Sequence, residues 1–379
     1  MPPVNVLIKP ASSACNMSCQ YCFYRDVSAH REHRFEGMLS MERMEQTIRA
    51  AMEFADGSCT FAFQGGEPTL AGLDFYKQVV QLQKKLCKPG VRIFNSIQTN
   101  GYGIDEAWAQ FFSENHFLVG LSLDGPQDLH DRNRKDYLGC GTFQRVMHAA
   151  GIFEQYGVEY NILCVLTGEN ARNIERIYRF YRENHFDYLQ FIPCLEPMDQ
   201  ARGQESYHLS AGDYGDFLIR IFDLWYEDLK KGCYVSIRHI DNWLSILLGH
   251  RPEACAMNGR CSIQFVVEGD GSVYPCDFYV TDPWKLGNVE TDSFSRMLHS
   301  EKARTFIQSS MMLPEECRVC PIVKLCRNGC RRERLVIDGG IPGRNFFCGA
   351  YLHFFSQRKQ QILHARSIIL QMRQAYNGS

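Results

Sequence analysis

No apolar run in this 379-residue chain approaches the roughly 20 residues that a membrane-spanning helix needs, which excludes helical membrane-spanning classes. Excess charge is missing as well. Lysine and arginine number 41 and aspartate and glutamate 43, a formal net charge of −2. With so little charge of either sign to spare, neither a nucleic acid nor a membrane surface is expected as a partner. The opening residues, MPPVNVLIKP, lack the basic start, long apolar region and small-residue cleavage site of a signal peptide, so a cytoplasmic protein is expected. Low-complexity tracts are absent too. What remains is a globular composition, 45% hydrophobic and 12% aromatic, ample for one large domain and a smaller one.

Cysteine, by contrast, is abundant, with seventeen residues. A cytoplasmic setting keeps thiols reduced, so metal binding rather than a disulfide framework is the reason to gather so many. Cys59, Cys87, Cys140, Cys164, Cys194 and Cys233 stand singly and are expected to be small buried apolar residues. The others form two groups. Cys15, Cys19 and Cys22 lie within SSACNMSCQYCFY, and eight more fall between 255 and 348.

Up to about residue 235, short strand-like runs alternate with amphipathic stretches. The strand candidates are VNVLIKP, CTFAFQGGEP, VRIFNSIQTN, FLVGLSLDGP, VEYNILCVLT and YLQFIPCL. Helical periodicity covers 40–55, 73–86, 105–115, 142–156 and 170–184, with Ser40, Asp105 and Thr142 where N-caps belong. Six βα repeats predict an α/β fold, a parallel sheet curled into a partial (β/α)6 TIM-like barrel. The segments GGEP, QTNG and SLDGP close strands at their C-terminal ends, the edge where βα folds collect ligands. After 236 comes a Cys-rich region to 348 with few apolar runs, expected to have a small core and to rely on metal for folding energy. Residues 349–379 predict a long amphipathic helix packed on the protein.

C-x3-C-x2-C offers three thiolates from one loop. A structural zinc ion takes four closed ligands, and His30 or His33 could complete such a set. A four-iron cluster on three thiolates keeps one iron open, as a reactive cluster requires. The eight later cysteines, Cys255, Cys261, Cys276, Cys317, Cys320, Cys326, Cys330 and Cys348, suffice for two fully ligated four-iron clusters or for two zinc ions.

The first group, with Tyr21 ahead of its third cysteine, resembles the signature of radical S-adenosylmethionine (SAM) enzymes. In that family the open iron binds the amino and carboxylate groups of SAM. The resemblance implies that Gly65, Gly66 and Glu67 of GGEP meet the SAM amino group, where Gly allows close approach and Glu can pair with an ammonium. Ser122 and Arg134 are similar to ribose and carboxylate contacts. Tyr21 and Leu195 join the cofactor-binding set.

The later spacing resembles the SPASM domain, which implies one auxiliary cluster on Cys255, Cys261, Cys276 and Cys330 and another on Cys317, Cys320, Cys326 and Cys348. Three 4Fe-4S clusters and SAM are therefore the implied cofactors. The implied organisation is a radical SAM partial barrel over 1–235, a SPASM domain over 236–348 and a terminal helix.

LIKPASSACNMSCQYCFY, FAFQGGEPTLAGL, QTNG, VGLSLDGP, NRKD, NILCVLT and VVEGDGSVYPCDFYV together resemble the anaerobic sulfatase-maturating enzymes. This implies oxidation of a Cys or Ser in an unfolded sulfatase chain, at a C/S-x-P/A-x-R type motif, to Cα-formylglycine. A 5′-deoxyadenosyl radical would take the Cβ hydrogen, with flavodoxin or ferredoxin as electron donor. Asp277, directly after Cys276, is the implied base, and Tyr24, Gln64 and Ser96 are candidate substrate contacts. Two rivals stay open: another SPASM peptide modifier (thioether, crosslink or epimer forming) and a structural zinc protein. Many peptide modifiers carry a precursor-binding domain before the barrel, and the 14 residues ahead of Cys15 are too few for one.

Overall fold

The computed structural model describes residues 4–337 and 341–377. Ten strands form one sheet: β1 (Val4–Ile8), β2 (Ser58–Phe63), β3 (Arg92–Thr99), β4 (Phe117–Ser122), β5 (Tyr160–Leu166), β6 (Tyr188–Pro193), β7 (Ser236–Ile237), β8 (Val266–Val267), β9 (Ser272–Tyr274) and β10 (Gly287–Asn288). Their order is β10-β9-β8-β1-β2-β3-β4-β5-β6-β7. The first seven run parallel, and β8 joins β1 in parallel before β9 and β10 turn back antiparallel. All six predicted strands are present, and the sheet stays open between β7 and β10, as a partial barrel must.

Alternation sets the two faces. On β2 the residues Cys59, Phe61 and Phe63 are buried while the intervening ones are half-exposed. The buried set packs under helices such as Met41–Phe54 and Leu73–Leu86, and the other set lines the barrel interior. Ser40 and Asp105 cap their helices, accepting from Arg43 and Trp108 N–H. Thr142 does not cap: its hydroxyl donates to Arg134 O, and Asp131 Oδ1 takes the Phe143 N–H instead. The 170–184 stretch divides at Asn173 into Gly168–Arg172 and Ile174–Glu183, with Thr167 capping the first.

Two further expectations need correction. Among the described residues the C-terminal region has no core made of its own residues alone: Val266, Tyr274 and Val280 pack with Tyr24 and Val27 of the N-terminal part. Because β8–β10 continue the barrel sheet, Phe265, Phe294 and Met297 join the barrel's own apolar interior. Among the single cysteines, Cys59, Cys164 and Cys194 are buried, but Cys87, Cys140 and Cys233 are exposed, at a helix end and in two loops. The terminal helix, Cys348–Asn377, packs on Ala211–Lys230, where Arg358 forks onto Asp223 at 2.6 and 2.7 Å. Among the described residues no helix is long and apolar enough to cross a membrane.

Candidate functional site

The loop after β1 carries Cys15, Cys19 and Cys22 at the C-terminal rim of the barrel, with Cys22 directly ahead of the helix Phe23–Ala29. Backbone hydrogen bonds hold it on two sides. Gly66 N–H donates to Ser12 O and Glu67 N–H to Ala14 O, both at 2.8 Å. Opposite, Ser18 N–H reaches Lys135 O at 2.7 Å and Gln20 N–H reaches Asn133 O at 3.1 Å, so NRKD is the second wall. GGEP can approach because its glycines lack side chains. A Cβ on Gly66 would lie 2.0 Å from Ala14 O, and Gly65, at φ +129°, would meet Ser12 O at 2.9 Å.

Glu67 locks this arrangement from beneath. It is buried, and its carboxylate accepts from Thr69 N–H, Thr69 Oγ1, Thr99 Oγ1 and Asn100 N–H at 2.7–3.0 Å. Burial raises its pKa, and those four donors oppose the rise. Thr99 and Asn100 belong to QTNG, so that motif clamps the end of β3 to GGEP.

Burial pushes Cys15 up to about 12 and Cys19 up to about 11, and neighbouring thiols add to the rise in both. A bound cation is what would hold such thiols ionised. Thiolates on one zinc ion stand about 3.8 Å apart, from Zn–S bonds of about 2.3 Å in a tetrahedron. Among the described residues no three thiols lie within 4.8 Å of one another, so none stands as a ready ligand set for one ion. His30 does not join them. Its Nδ1 meets Asp26 O at 2.8 Å, and its Nε2 faces Asp199 at 3.6 Å. The three-thiol donor set therefore fits an iron–sulfur cluster with one open iron.

Beside this loop stands a buried network that the sequence did not announce. Asp124, fully buried, accepts from the Tyr21 hydroxyl, from Arg134 Nε at 3.0 Å and Nη2 at 3.3 Å, and from Val165 N–H at 2.9 Å. Arg134 also lies over the Tyr21 ring and near enough to Cys19 to oppose the rise in its pKa. Ser122 ends β4 and Leu195 follows β6, both buried at the same rim. The cofactor candidates are thus brought to one edge.

A second cluster of side chains meets across the rim from distant parts of the chain. Asp277 is clasped by the Lys9 ammonium at Oδ1 and by Gln64 Nε2 at Oδ2, 2.7 Å away. Lys9 Nζ lies 3.6 Å above the Tyr24 ring centre. The Tyr24 hydroxyl donates to Glu268, which also pairs with Arg31 Nη1 at 2.9 Å. Tyr24 is buried beneath Lys9, so it supports Asp277 rather than presenting a face to a peptide. Ser96 lies on the interior face of β3 opposite Ala62, two residues and about 7 Å below the level of Gln64, not at the strand end as expected. Lys9 had one available signal: a lysine closing an apolar strand run. Asp124 stood inside SLDGP, but no spacing ties it to Tyr21, which lies 103 positions away.

The eight later thiols assemble as two sets. Cys330 and Cys255 act on Cys276, and Cys255 and Cys261 act on Cys330. Cys348 and Cys320 act on Cys317, and Cys348, Cys317 and Cys320 act on Cys326. In every case burial is the main cause of the raised pKa.

Comparison with known proteins agrees with this geometry. Residues 10–181 match the Radical SAM superfamily, and residues 255–321 match an iron–sulfur cluster-binding domain, SPASM. The chain is 47% identical to a cysteine-type anaerobic sulfatase-maturating enzyme of Clostridium perfringens, covering 97% of this chain and all of the relative. It is 32% identical to a serine-type anaerobic sulfatase-maturating enzyme of Bacteroides thetaiotaomicron, covering 93% and 89%. The solved structure of native anSMEcpe with bound AdoMet and Cp18Cys peptide superposes with a TM-score of 0.93 at 45% identity, over 97% of this chain and all of that one.

Proposed function

Because the chain belongs to the anaerobic sulfatase-maturating enzymes of the radical SAM superfamily, we propose that it oxidises a cysteine of an unfolded sulfatase polypeptide to Cα-formylglycine. Cysteine rather than serine is the favoured substrate residue, since the cysteine-type relative is the more similar, 47% against 32%. The observation that carries the reading is the three-thiol loop packed on GGEP, with Asp277 held one residue away by Gln64.

Cys15, Cys19 and Cys22 would hold the open cluster, and the two sets of four the auxiliary clusters. When bound, these groups and SAM supply a 5′-deoxyadenosyl radical for the Cβ hydrogen and take up one electron. The residues of the chain do the rest. Arg134, fixed by Asp124, offers positive charge beside Cys19 for the SAM carboxylate, with Ser122 and Leu195 at the same rim. Asp277 accepts the proton that leaves the substrate side chain. Lys9 is ion-paired with its Oδ1 and Gln64 Nε2 donates to its Oδ2, so the carboxylate is held on both sides. Gln64 and Ser96 line the interior that receives the peptide. A reducing cytoplasm and a flavodoxin or ferredoxin donor complete the setting.

The test incubates the reduced holoenzyme and SAM with an unfolded C-x-P-x-R peptide and its serine counterpart. Mass spectrometry should find formylglycine in the cysteine peptide together with 5′-deoxyadenosine. Unchanged Cys and Ser would overturn the reading. Metal analysis should give about twelve irons per chain, and zinc with little iron would restore the structural alternative.

A further inference from the structure

A fully buried lysine needs a reason. Lys9 follows β1, has no solvent exposure, and donates its backbone N–H to Val267 O at 2.9 Å, so it stands where barrel strand and C-terminal hairpin meet. A buried ammonium is stable only with a counter-charge and a well-packed stem. Asp277 is the counter-charge. The packing comes from two sides: Gly65 leaves room for the stem, since a Cβ there would lie 3.2 Å from Lys9 Cβ, and the Tyr24 ring lies under the ammonium. The ring is fixed in turn, because its hydroxyl is bound to Glu268 and Glu268 to Arg31. Lys9 therefore has little freedom to move.

We propose that Lys9 is a positioning residue for the proton-transfer step, acting through Asp277, which deepens the function proposed above and rests on it. An ion pair with Lys9 at Oδ1 and a hydrogen bond from Gln64 Nε2 at Oδ2 hold the Asp277 carboxylate from two sides. Gln64 alone would let the group rotate and would leave its charge without an opposite partner. The chemistry needs an oriented base only after the substrate Cβ hydrogen has gone. The side chain must then lose its thiol proton to Asp277 and one electron, for which the auxiliary clusters would be the acceptor, so that the C–S single bond becomes double and water can then replace the sulfur, releasing sulfide. Where the base is misaligned, hydrogen abstraction continues while product formation lags. Lys9 thus governs coupling between SAM cleavage and product, rather than SAM cleavage itself.

The experiment compares wild type, Lys9→Met, Lys9→Arg, Asp277→Asn and the double variant Lys9→Met/Asp277→Asn as iron-loaded holoenzymes. It measures formylglycine, 5′-deoxyadenosine and peptide KM. Lys9→Met should keep peptide-dependent 5′-deoxyadenosine within about twofold and KM within about threefold, while formylglycine falls at least about tenfold. Lys9→Arg, with charge kept but a longer planar head, should fall between. If Lys9→Met loads little iron because Asp277 is left as an unpaired, part-buried charge, the double variant decides, since it removes both charges. Its product-to-SAM ratio should equal that of Asp277→Asn alone. A wild-type ratio in Lys9→Met, a Lys9→Met loss shared equally by both products at full iron content, or a multiplied loss in the double variant would each overturn the inference. Formylglycine made by wild type in the same assay shows that such a failure concerns Lys9 only; its absence from wild type would instead remove the function it rests on.

Discussion

Gly66 and Ala14 approach so closely that a Cβ on Gly66 would lie 2.0 Å from the Ala14 carbonyl oxygen. The residue after Ala14 is Cys15, so GGEP shapes the cluster loop before it meets any ligand. The sequence pattern pointed GGEP toward SAM. The structure adds a nearer partner, the backbone of the cysteine loop.

Gly66→Ala should therefore push Ala14 away and displace Cys15. The expected holoenzyme loses the reactive cluster, about four irons, and keeps the auxiliary ones. Iron analysis and the EPR signal of the reduced cluster with and without SAM check this. Unchanged iron content and SAM cleavage would show that the loop can yield.

The two sets of later thiols predict a pattern of iron loss. Cys255→Ala and Cys330→Ala, singly or together, should each cost the same cluster, since both thiols act within one set. Cys255→Ala combined with Cys317→Ala should remove both auxiliary clusters, about eight of twelve irons. Equal loss in the two double variants would break the partition.

His130 gives a pH prediction. It is buried, with Nδ1 accepting the Asp124 N–H at 3.3 Å and Nε2 against Thr142 Oγ1 at 3.1 Å. Burial, with the Arg134 charge in second place, lowers its pKa to about 4 from the usual 6.5. Between those values the unfolded chain binds a proton that the folded chain refuses. Its contribution is therefore full above pH ~6.5 and declines as pH falls toward ~4. Urea titrations of the anaerobic holoenzyme across that window should show the decline, and His130→Gln should flatten it.

Much of the fold was legible because strand runs such as SCTFAF and FLVGLS are short, apolar and close on turn residues, and SCTFAF also alternates. The cysteine spacings likewise exposed both cluster regions, since ligands on one loop must be near in sequence. What was not legible depends on distant partners. Thr142 has the composition of a cap, but His130 and the Arg134 carbonyl claim its hydroxyl. The Cys-rich region had too few apolar residues for a core, and nothing local revealed that it borrows the barrel's by extending its sheet. Lys9 gains its meaning only when Asp277 arrives from the other end of the chain.

Asp124 is the clearest case for a single change with separable effects. It is fully buried and takes donors from Tyr21, Arg134 and Val165. The Asp124 charge is the chief influence that raises the Arg134 pKa against the burial that lowers it. Asp124→Asn leaves the side-chain volume in place and removes the charge, so Arg134 becomes an unpaired buried cation. Breaking a buried pair in this way costs about 3–5 kcal/mol. The variant should therefore unfold at lower denaturant concentration than wild type. Arg134 should also lose its fixed position beside Cys19, so SAM affinity should fall even in the fraction that stays folded. The two effects separate with Asp124→Asn/Arg134→Met, which removes both buried charges. Stability should recover in that variant, whereas SAM binding, measured by equilibrium dialysis on the iron-loaded protein, should not. Recovery of both would mean that Arg134 serves the fold alone.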